Sequence, residues 1–533
     1  MDKAYIAVLS FAFLFLLHYI LGKKSDGSKG AAHLPPSPPA VPFLGHLHLV
    51  EKPLHAALCR LGARYGSVFS LRLGARNAVV VSSPACAREC FTDHDVAFAN
   101  RPQFPSQMLV SYGGTSLVSS SYGPHWRNLR RVAAVRLLSA HRVAGMSGVI
   151  AAEVRAMARR LCRAAAACPA RVELKRSLFE LSLSVLMETI ARTKGTRSEA
   201  DGDTDMSLEA QEFKQVVDEI IPLIGAANVW DYLPVMRWLD VSGVRSRILA
   251  TVSRRDAFLH RLIDAERRRM EEGGDEGEKK SMIAVLLTLQ KTEPELYTDQ
   301  MIIALCAFVF YQKIAMFVNL AVTKVAMKKN MFVAGTETTS STIEWAMSLL
   351  LNHPAALNKA QAEMDASIGT SRMVTADDVP RLSYLQCIIS ETLRLYPAAP
   401  LLLSHESSAD CKVGGYDVPS GTMLIVNAYA IHRDPAVWED PTAFRPERFE
   451  DGKGDGLLLM PFGMGRRRCP GEALALQTVG VVLGTLVQCF NWERVDGVEV
   501  DMTEGVGITM PKAVALEAVC RPRAAMHDVL QKL

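Results

Sequence analysis

The residue with the most readable chemistry is a cysteine in a stretch rich in glycine and arginine. Cys469 lies within Phe462–Gly471 (FGMGRRRCPG), directly before the small apolar helical pattern of Glu472–Leu476. Glycine lets a backbone bend tightly and approach a flat object closely. The upstream arginines and the start of the following helix both favour the thiolate, which is the metal-binding form of cysteine. The stretch therefore indicates a thiolate metal ligand held in a tight turn.

Taken alone, Cys469 would be interpreted as a small buried hydrophobic residue. Its neighbours favour the metal site, because Phe462, Gly465, Arg467, Cys469 and Gly471 fill every position of the pattern Phe-x-x-Gly-x-Arg-x-Cys-x-Gly. This stretch resembles the haem-ligand loop of the cytochrome P-450 superfamily. The resemblance implies that Cys469 is the iron ligand of haem b, and a thiolate ligand favours cleavage of the O–O bond of dioxygen. It also implies that Phe462 and Arg467 lie against the cofactor.

Two further places in the chain resemble the family's contacts to the haem propionates. Trp126 and Arg130 are four residues apart, so they share one face of the helix that follows Gly123 and Pro124. Alone, the pair would be a core tryptophan beside a surface arginine. An indole N–H and a guanidinium fork suit a carboxylate, however, and the resemblance implies that both donate to one propionate. His405 stands where the family has a basic residue near the second propionate.

A run of small and hydroxyl residues interrupts a long apolar helical pattern at Ala334–Thr339 (AGTETT). It resembles the family's oxygen-activation motif, and the alternative is a slightly polar buried helix. Gly335 leaves room for dioxygen, Thr338 supplies a hydroxyl that can hold it and relay protons, and Glu337 can feed that relay from solvent. Glycine and threonine are poor helix formers, so the helix can open locally and admit water.

An acid and a base three residues apart predict an ion pair on one helix face. Glu391 and Arg394 have this spacing, and such pairs are usually exposed and contribute little to stability. The resemblance implies a different arrangement, a buried network of Glu391, Arg394 and Arg448 that braces the segment leading to Cys469. Its role would be structural.

Composition bounds the class of protein. The 533 residues are 49% hydrophobic and 22% charged, which allows a sizeable core, and a net charge of +4 is too weak to indicate nucleic-acid binding. The eleven cysteines include no CxxC pair, so zinc ribbons and thioredoxin-like sites lack support. Alternating residues at 67–73 and an apolar run at 78–81 predict strands, and most of the chain beyond Pro84 has a helical pattern. The expected fold is mainly α with a small β region, as in cytochromes P-450.

The first residues predict a membrane anchor. Residues 4–22 are nearly unbroken apolar sequence, and nineteen residues in a helix span roughly 28 Å, enough to cross a bilayer. Lysines follow this segment, so the positive-inside rule places the downstream chain in the cytosol. A cleaved signal peptide is the alternative, but it would have a basic start and a shorter apolar core. We expect an anchor at 1–22, a basic and proline-rich hinge at 23–45 and a catalytic domain at 46–533, at the endoplasmic reticulum membrane with a single span.

One segment departs from the family pattern. Residues 308–329 (FVFYQKIAMFVNLAVTKVAMKK) lengthen the stretch before Ala334, and 22 helical residues would add roughly 33 Å. Without them, residues 305–307 would join 330–332 as one ordinary amphipathic helix. We interpret the segment as an anomalous insertion, either a translated intron or a splice variant. A second membrane span is less consistent, because Lys313 would cost about 2.5–3.5 kcal/mol in the bilayer.

The resemblance implies a haem-thiolate monooxygenase that hydroxylates or O-demethylates a small lipophilic aromatic substrate. Electrons would come from NADPH through a separate flavoprotein reductase, which Arg466 and Arg468 could contact electrostatically. The chain looks most similar to plant microsomal members of the isoflavonoid-hydroxylase-like branch, close to grass members that hydroxylate herbicides. Two alternatives stay open. One is a thiolate-haem isomerase or dehydratase that needs no reductase, against which Thr338 argues, and the other is a non-functional splice or gene-model variant.

The resemblance also implies, by position, which segments contact the substrate. They are largely apolar, as a lipophilic aromatic substrate requires. The segments are residues 101–119, 213–224, 332–338, 398–403 and 505–509.

Overall fold

The computed structural model describes Phe13 and residues 33–166, 171–192, 212, 215, 229–233, 243–272, 280–311, 334–452, 459–507 and 509–533. The predicted anchor, apart from Phe13, and residues 312–329 of the predicted insertion lie outside this set. Those predictions therefore stay predictions.

Helices dominate the described chain, as the sequence predicted. Proline at the first position and an extended or glycine residue before it start several of them, because proline's missing N–H needs no partner there. After α4 the chain continues in a π-helical turn at Val132–Leu137. The helices, numbered in chain order, are α1 (Leu54–Tyr65), α2 (Pro84–Phe91), α3 (Pro105–Val110), α4 (Pro124–Arg131), α5 (Ala140–Gly145), α6 (Ser147–Ala166), α7 (Leu174–Ala191), α8 (Val229–Tyr232), α9 (Val244–Glu271), α10 (Met282–Thr292), α11 (Asp299–Tyr311), α12 (Ala334–Asn352), α13 (Pro354–Ser367), α14 (Ser383–Leu395), α15 (Ala428–Ile431), α16 (Glu472–Cys489) and α17 (His527–Gln531).

Three small sheets complete the fold. The largest has the strand order β1-β2-β7-β4, in which β2 pairs parallel to β7 and the other neighbours are antiparallel. The predicted strands at 67–73 and 78–81 are confirmed as β1 and β2. The others form the sheets β3-β9-β8 and β5-β6. The strands are β1 (Val68–Leu73), β2 (Arg76–Val81), β3 (Arg171–Glu173), β4 (His405–Glu406), β5 (Cys411–Val413), β6 (Tyr416–Val418), β7 (Met423–Val426), β8 (Phe490–Arg494) and β9 (Glu517–Pro522).

Two helices, α12 and α16, form the centre of the main core. α12 packs against α7, α14 and α16, and its side chains from Glu337 to Leu351 are buried. Within the described ranges, α16 alone is long and apolar enough to cross a membrane, and 72% of it is buried inside the protein. A helix that is apolar on every side suits such a central position.

From His33 onward, the segment predicted as a hinge lies against β1 of the largest sheet and β6 of the two-stranded sheet. Pro36 accepts a hydrogen bond from the Ser70 N–H at 2.8 Å, and Pro35 accepts one from the Ser70 hydroxyl at 3.1 Å. The His33 N–H donates to the Asp417 carboxylate at 2.8 Å. Because β1 is an edge strand, this docking covers backbone groups that would otherwise stay open.

Candidate functional site

The loop before α16 holds Cys469 in a tight turn. The Cys469 N–H donates to the Phe462 carbonyl at 2.9 Å, and Cys469 is half-buried three residues before α16 begins. Gly465 has φ +64°, and a side-chain carbon there would lie 2.5 Å from Asp95 Oδ1 and 2.8 Å from the Phe91 carbonyl oxygen. The motif glycine is therefore required by both backbone conformation and space. The Arg466 N–H donates to Asp95 at 3.0 Å, which joins the loop to the segment after α2.

Arg467 turns inward from this loop, and its hydrogen bonds within the described ranges all go to main-chain oxygen atoms. Its guanidinium donates to the carbonyls of Ala99 at 2.7 Å, Leu117 at 3.2 Å and Ser120 at 2.5 Å. It also lies over the Trp126 ring, 4.3 Å from the centroid. The Trp126 indole N–H donates to the same Leu117 carbonyl at 3.1 Å. The structure thus brings Trp126 and Arg467 together, with the indole donor bonded to the main chain.

Arg101 belongs to the same site, and sequence reasoning missed it. Its Nη1 donates to the carbonyls of Leu403 at 2.8 Å and Ser404 at 2.6 Å. Its side chain is buried, and its Nε has no hydrogen-bond partner among the described residues. Arg101 is flanked by Asn100 and Pro102, and this local sequence does not predict a buried cation.

His405 follows the segment that receives Arg101. Its Nδ1 lies 2.6 Å from the Phe98 carbonyl oxygen, and its ring packs against Phe91. Burial, with Arg101 and Arg467 nearby, holds the pKa of His405 well below its usual range. His405 is therefore a neutral imidazole at physiological pH, and the positive charge of the site comes from arginine.

Three arginines make this region strongly cationic. Burial, with the charges of Arg101 and Arg130, lowers the pKa of Arg467 to about 8. Burial lowers the pKa of Arg101 to about 9. Burial also lowers the pKa of Arg130, an effect that the nearby Cys469 sulfur opposes. Each shift shows that the charged form lacks the stabilisation that a carboxylate would give.

These arginines fit the cofactor that the sequence resemblance implies. No carboxylate in the described ranges lies within ion-pair distance of Arg101, Arg130 or Arg467. Guanidinium forks bind carboxylates through paired hydrogen bonds, and haem b carries two propionates. The unpartnered Nε of Arg101 is a buried donor that such a group would satisfy. The region is thus a preformed anion site beside the Cys469 sulfur.

The predicted oxygen-activation residues lie in the first turns of α12. Gly335 is in the first turn, and the side chains of Glu337 and Thr338 are buried. The Thr342 hydroxyl donates to the Thr338 carbonyl at 2.7 Å, and the Ser340 hydroxyl donates to the Glu337 carbonyl at 3.1 Å. Side-chain donors of this kind compete for helix carbonyls and favour local bending.

Two of the segments expected to contact substrate meet beside α12. The Met510 N–H donates to the Ala398 carbonyl at 3.3 Å, and the Trp345 indole donates to the Met510 carbonyl at 2.7 Å. Met510, the residue directly after the predicted segment 505–509, is therefore tied to the helix that carries Thr338. The segment 213–224 lies outside the described residues, except for Gln215.

The structure also joins Glu391, Arg394 and Arg448. Glu391 accepts from Arg394 at 2.7 and 2.8 Å, and both side chains are fully buried. Arg448 donates to Glu391 at 3.2 Å, and the Arg445 N–H donates at 2.9 Å. Arg394 also donates to three carbonyls, at His432, Pro441 and Ala443, which fills its remaining donors. The carboxylate therefore holds α14 to the segment that precedes the Cys469 loop.

Replacing Glu391 by Gln should strongly destabilise the fold. The amide keeps the shape of the side chain but leaves the Arg394 guanidinium buried without its counter-charge, which costs about 3–5 kcal/mol. Denaturant unfolding of the detergent-solubilised full chain measures the loss. Glu493→Gln is the control, because it breaks an exposed pair with Arg521 and should cost no more than about 1 kcal/mol. Equal losses in the two variants would contradict a buried brace.

Adjacent arginines of the loop should differ in their effect on haem retention. Arg467→Leu removes a half-buried donor of the cationic site, so we expect haem affinity to fall by a factor of about 10–100, from 1.5–3 kcal/mol per charged hydrogen bond. Arg466→Leu should retain haem, because Arg466 pairs instead with Asp95 at 2.8 Å. The measurement is haem transfer from the purified protein to an apo-globin acceptor. Similar transfer from both variants would show that Arg467 has no special role.

Comparison with known proteins agrees with this geometry. The family model "Cytochrome P450" matches residues 35–311 and 322–516. Cytochrome P450 81Q32 of Catharanthus roseus is 44% identical over 95% of this chain and 95% of its own length. Isoflavone 2'-hydroxylase of Glycyrrhiza echinata is 40% identical over 99% of each chain. The (+)-piperitol/(+)-sesamin synthase of Sesamum radiatum is 41% identical over 98% of this chain and 97% of its own.

A solved zebra fish cytochrome P450 with abiraterone has a TM-score of 0.70 and 26% identity, and the match covers 89% of this chain and 100% of that chain. These findings confirm the resemblance, the mainly helical fold with small sheets, haem b as the cofactor and the monooxygenase class. The match to the family model is interrupted at 312–321, inside the segment predicted as an insertion. With its cysteine loop, its three clustered arginines and relatives that match at least 95% of its length, the chain belongs to the cytochrome P450 family.

Proposed function

We propose that this enzyme hydroxylates a small lipophilic aromatic plant metabolite with O2 and electrons from NADPH, delivered by a separate flavoprotein reductase. The cationic site beside Cys469 carries the proposal, because it joins a thiolate ligand to an anchor for a dianionic cofactor. The relatives named isoflavone 2'-hydroxylase and isoflavone 3'-hydroxylase support an aromatic substrate. Herbicides are a second substrate class in this proposal.

Each residue then has a defined task. When bound, haem supplies the redox chemistry that activates dioxygen. Cys469 would provide the ligand sulfur, and Arg101, Arg130 and Arg467 would hold the propionates. Thr338 would offer its hydroxyl to the oxygen site and relay protons, and Glu337, one residue away and buried, would supply them.

The reductase would dock on α4 and the turn after it. Arg466 and Arg468, the candidates from sequence, already pair with Asp95 at 2.8 Å and with Glu472 at 2.6 Å. By contrast, residues 123–152 contain five arginines and no acidic residue. Arg127, Arg131 and Arg136 are exposed there, with no carboxylate of the described chain in ion-pair distance, and an exposed Val135 lies among them. A cationic surface with an apolar centre suits an acidic partner.

Reversing charge on this surface should slow electron delivery. For Arg131→Glu with Arg136→Glu, we expect NADPH-driven turnover at low salt to fall about tenfold, because electrostatic steering raises association rates by at least that factor. Turnover driven by hydrogen peroxide needs no reductase and should stay unchanged. Lys291→Glu, on the exposed end of α10, is the control. A loss in the peroxide reaction as well would mean damage to the site rather than to docking.

The membrane arrangement is part of the same proposal. The apolar residues 4–22 anchor the chain in the endoplasmic reticulum, and the lysines that follow keep the catalytic domain in the cytosol. The docking of His33 and of the two prolines that contact Ser70 supports a fixed orientation of the domain close to the anchor.

Microsomal turnover of isoflavones and of herbicides, with and without NADPH, tests the reaction. We expect a hydroxylated product only with NADPH, and a Cys469→Ala variant should lose both this activity and the thiolate type of reduced carbon-monoxide difference spectrum. Product without NADPH would favour the isomerase or dehydratase alternative.

The interrupted family match favours one further candidate, an inactive variant that carries residues 308–329. The full chain and a form that lacks these residues should be compared in the same assay. Activity in the shortened form alone would establish that alternative.

A further inference from the structure

His432 connects the buried ion network to the segment that enters the cysteine loop. It lies directly after α15 and is fully buried. Its main-chain carbonyl accepts from Arg394 Nη1 at 2.8 Å. Its ring Nε2 accepts from the Met460 N–H at 3.0 Å. His432 therefore contacts the ion network through its main-chain carbonyl and the segment before the cysteine loop through its ring.

Short hydrogen bonds continue from Met460 to the ligand cysteine. The Met460 carbonyl accepts from the Gly463 N–H at 3.0 Å, and the Phe462 carbonyl accepts from the Cys469 N–H at 2.9 Å. Met460 itself is buried. A displacement of the Met460 backbone would thus be passed on to the sulfur of Cys469, because no flexible side chain intervenes.

The direction of the bond fixes the protonation state of the ring. A main-chain N–H can only donate, so Nε2 of His432 carries no hydrogen, and in the neutral ring the hydrogen is on Nδ1. Burial, together with the charges of Arg433 and Arg394, lowers the pKa of His432 to about 3. The acceptor is therefore present throughout the pH range of a cytosolic enzyme. Nδ1 has no partner among the described residues, so the Met460 bond is the ring's one hydrogen bond there.

We propose that His432 is a positioning residue of the haem-thiolate site, whose Nε2 sets the path of residues 460–462 and thereby the position of the Cys469 sulfur relative to the haem iron. The residue does not touch the cofactor and acts through the loop. The proposal goes beyond the substrate and reductase assignments, since the geometry of the sulfur is defined without either.

The test separates the hydrogen bond from the volume of the side chain. His432→Leu removes the acceptor, whereas His432→Gln places an amide oxygen near the position of Nε2 and can still accept from Met460. The readout is the share of haem that gives the thiolate type of reduced carbon-monoxide spectrum in the full-length protein, without substrate or reductase. For His432→Leu we expect the ratio of haem with the thiolate type of spectrum to haem without it to fall about fivefold or more, since the buried Met460 N–H loses its acceptor. His432→Gln should recover most of it.

His46→Leu is the matched control. His46 is also buried, and its Nδ1 accepts from the Arg72 N–H at 2.7 Å, in the region of β1 rather than beside Cys469. Its loss should lower thermal stability without shifting the spectral ratio. An unchanged ratio in His432→Leu, an equal shift in His46→Leu, or no recovery with glutamine would overturn the proposal. Failed hydroxylation with a normal spectrum would count against the proposed function and leave this inference standing.

Discussion

The whole site depends on three clustered arginines that have no carboxylate partner in the described chain. Arg101, Arg130 and Arg467 come from three separate segments, and no carboxylate of the described chain pairs with them. Arg101 and Arg467 donate to carbonyl oxygens instead. Burying an ion without a counter-ion costs several kcal/mol even after relaxation. The lowered pKa values of Arg101 and Arg467 reflect this unfavourable desolvation of the charged form. A bound dianion such as haem b would offset it, and the cofactor would then help to hold these segments together.

The second ionic group, the network around Glu391, differs from the first because its charges are paired within the protein. The Glu391 carboxylate lies between Arg394 and Arg448, and neighbouring carbonyls satisfy the donors that remain. This network is complete within the protein and needs no ligand. The protein thus combines the paired network around Glu391, which shapes the segment before the cysteine loop, with a group of arginines that has no carboxylate partner among the described residues. His432 contacts both Arg394 and the segment that enters the loop, so the Glu391 network and the loop are mechanically coupled.

The features that could be predicted from the sequence are those that depend on residues close together in the chain. The cysteine loop, the Glu391–Arg394 spacing and the strands β1 and β2 depend on residues close in the chain, and their patterns were readable. Arg101 was missed because its acceptors, Leu403 and Ser404, lie about three hundred residues further on. Asp95, the distant carboxylate partner of Arg466, could not be predicted for the same reason. Motifs identify residue types that can do chemistry, whereas long-range partners decide which of them are available.

Thr338 lies near the start of α12, shortly after residues 308–329, the segment that departs from the family pattern. α12 is held by residues that follow Thr338: Trp345 donates to Met510, Glu344 accepts from the Leu516 N–H, and the buried side chains to Leu351 pack on α7 and α16. These contacts anchor α12 from Glu344 onward, beyond the turn that contains Gly335, and the helix also packs against α11. If Gly335 leaves space for dioxygen, as the sequence resemblance implies, an alteration confined to that turn would act on oxygen access before it acts on the packing of the rest of the helix.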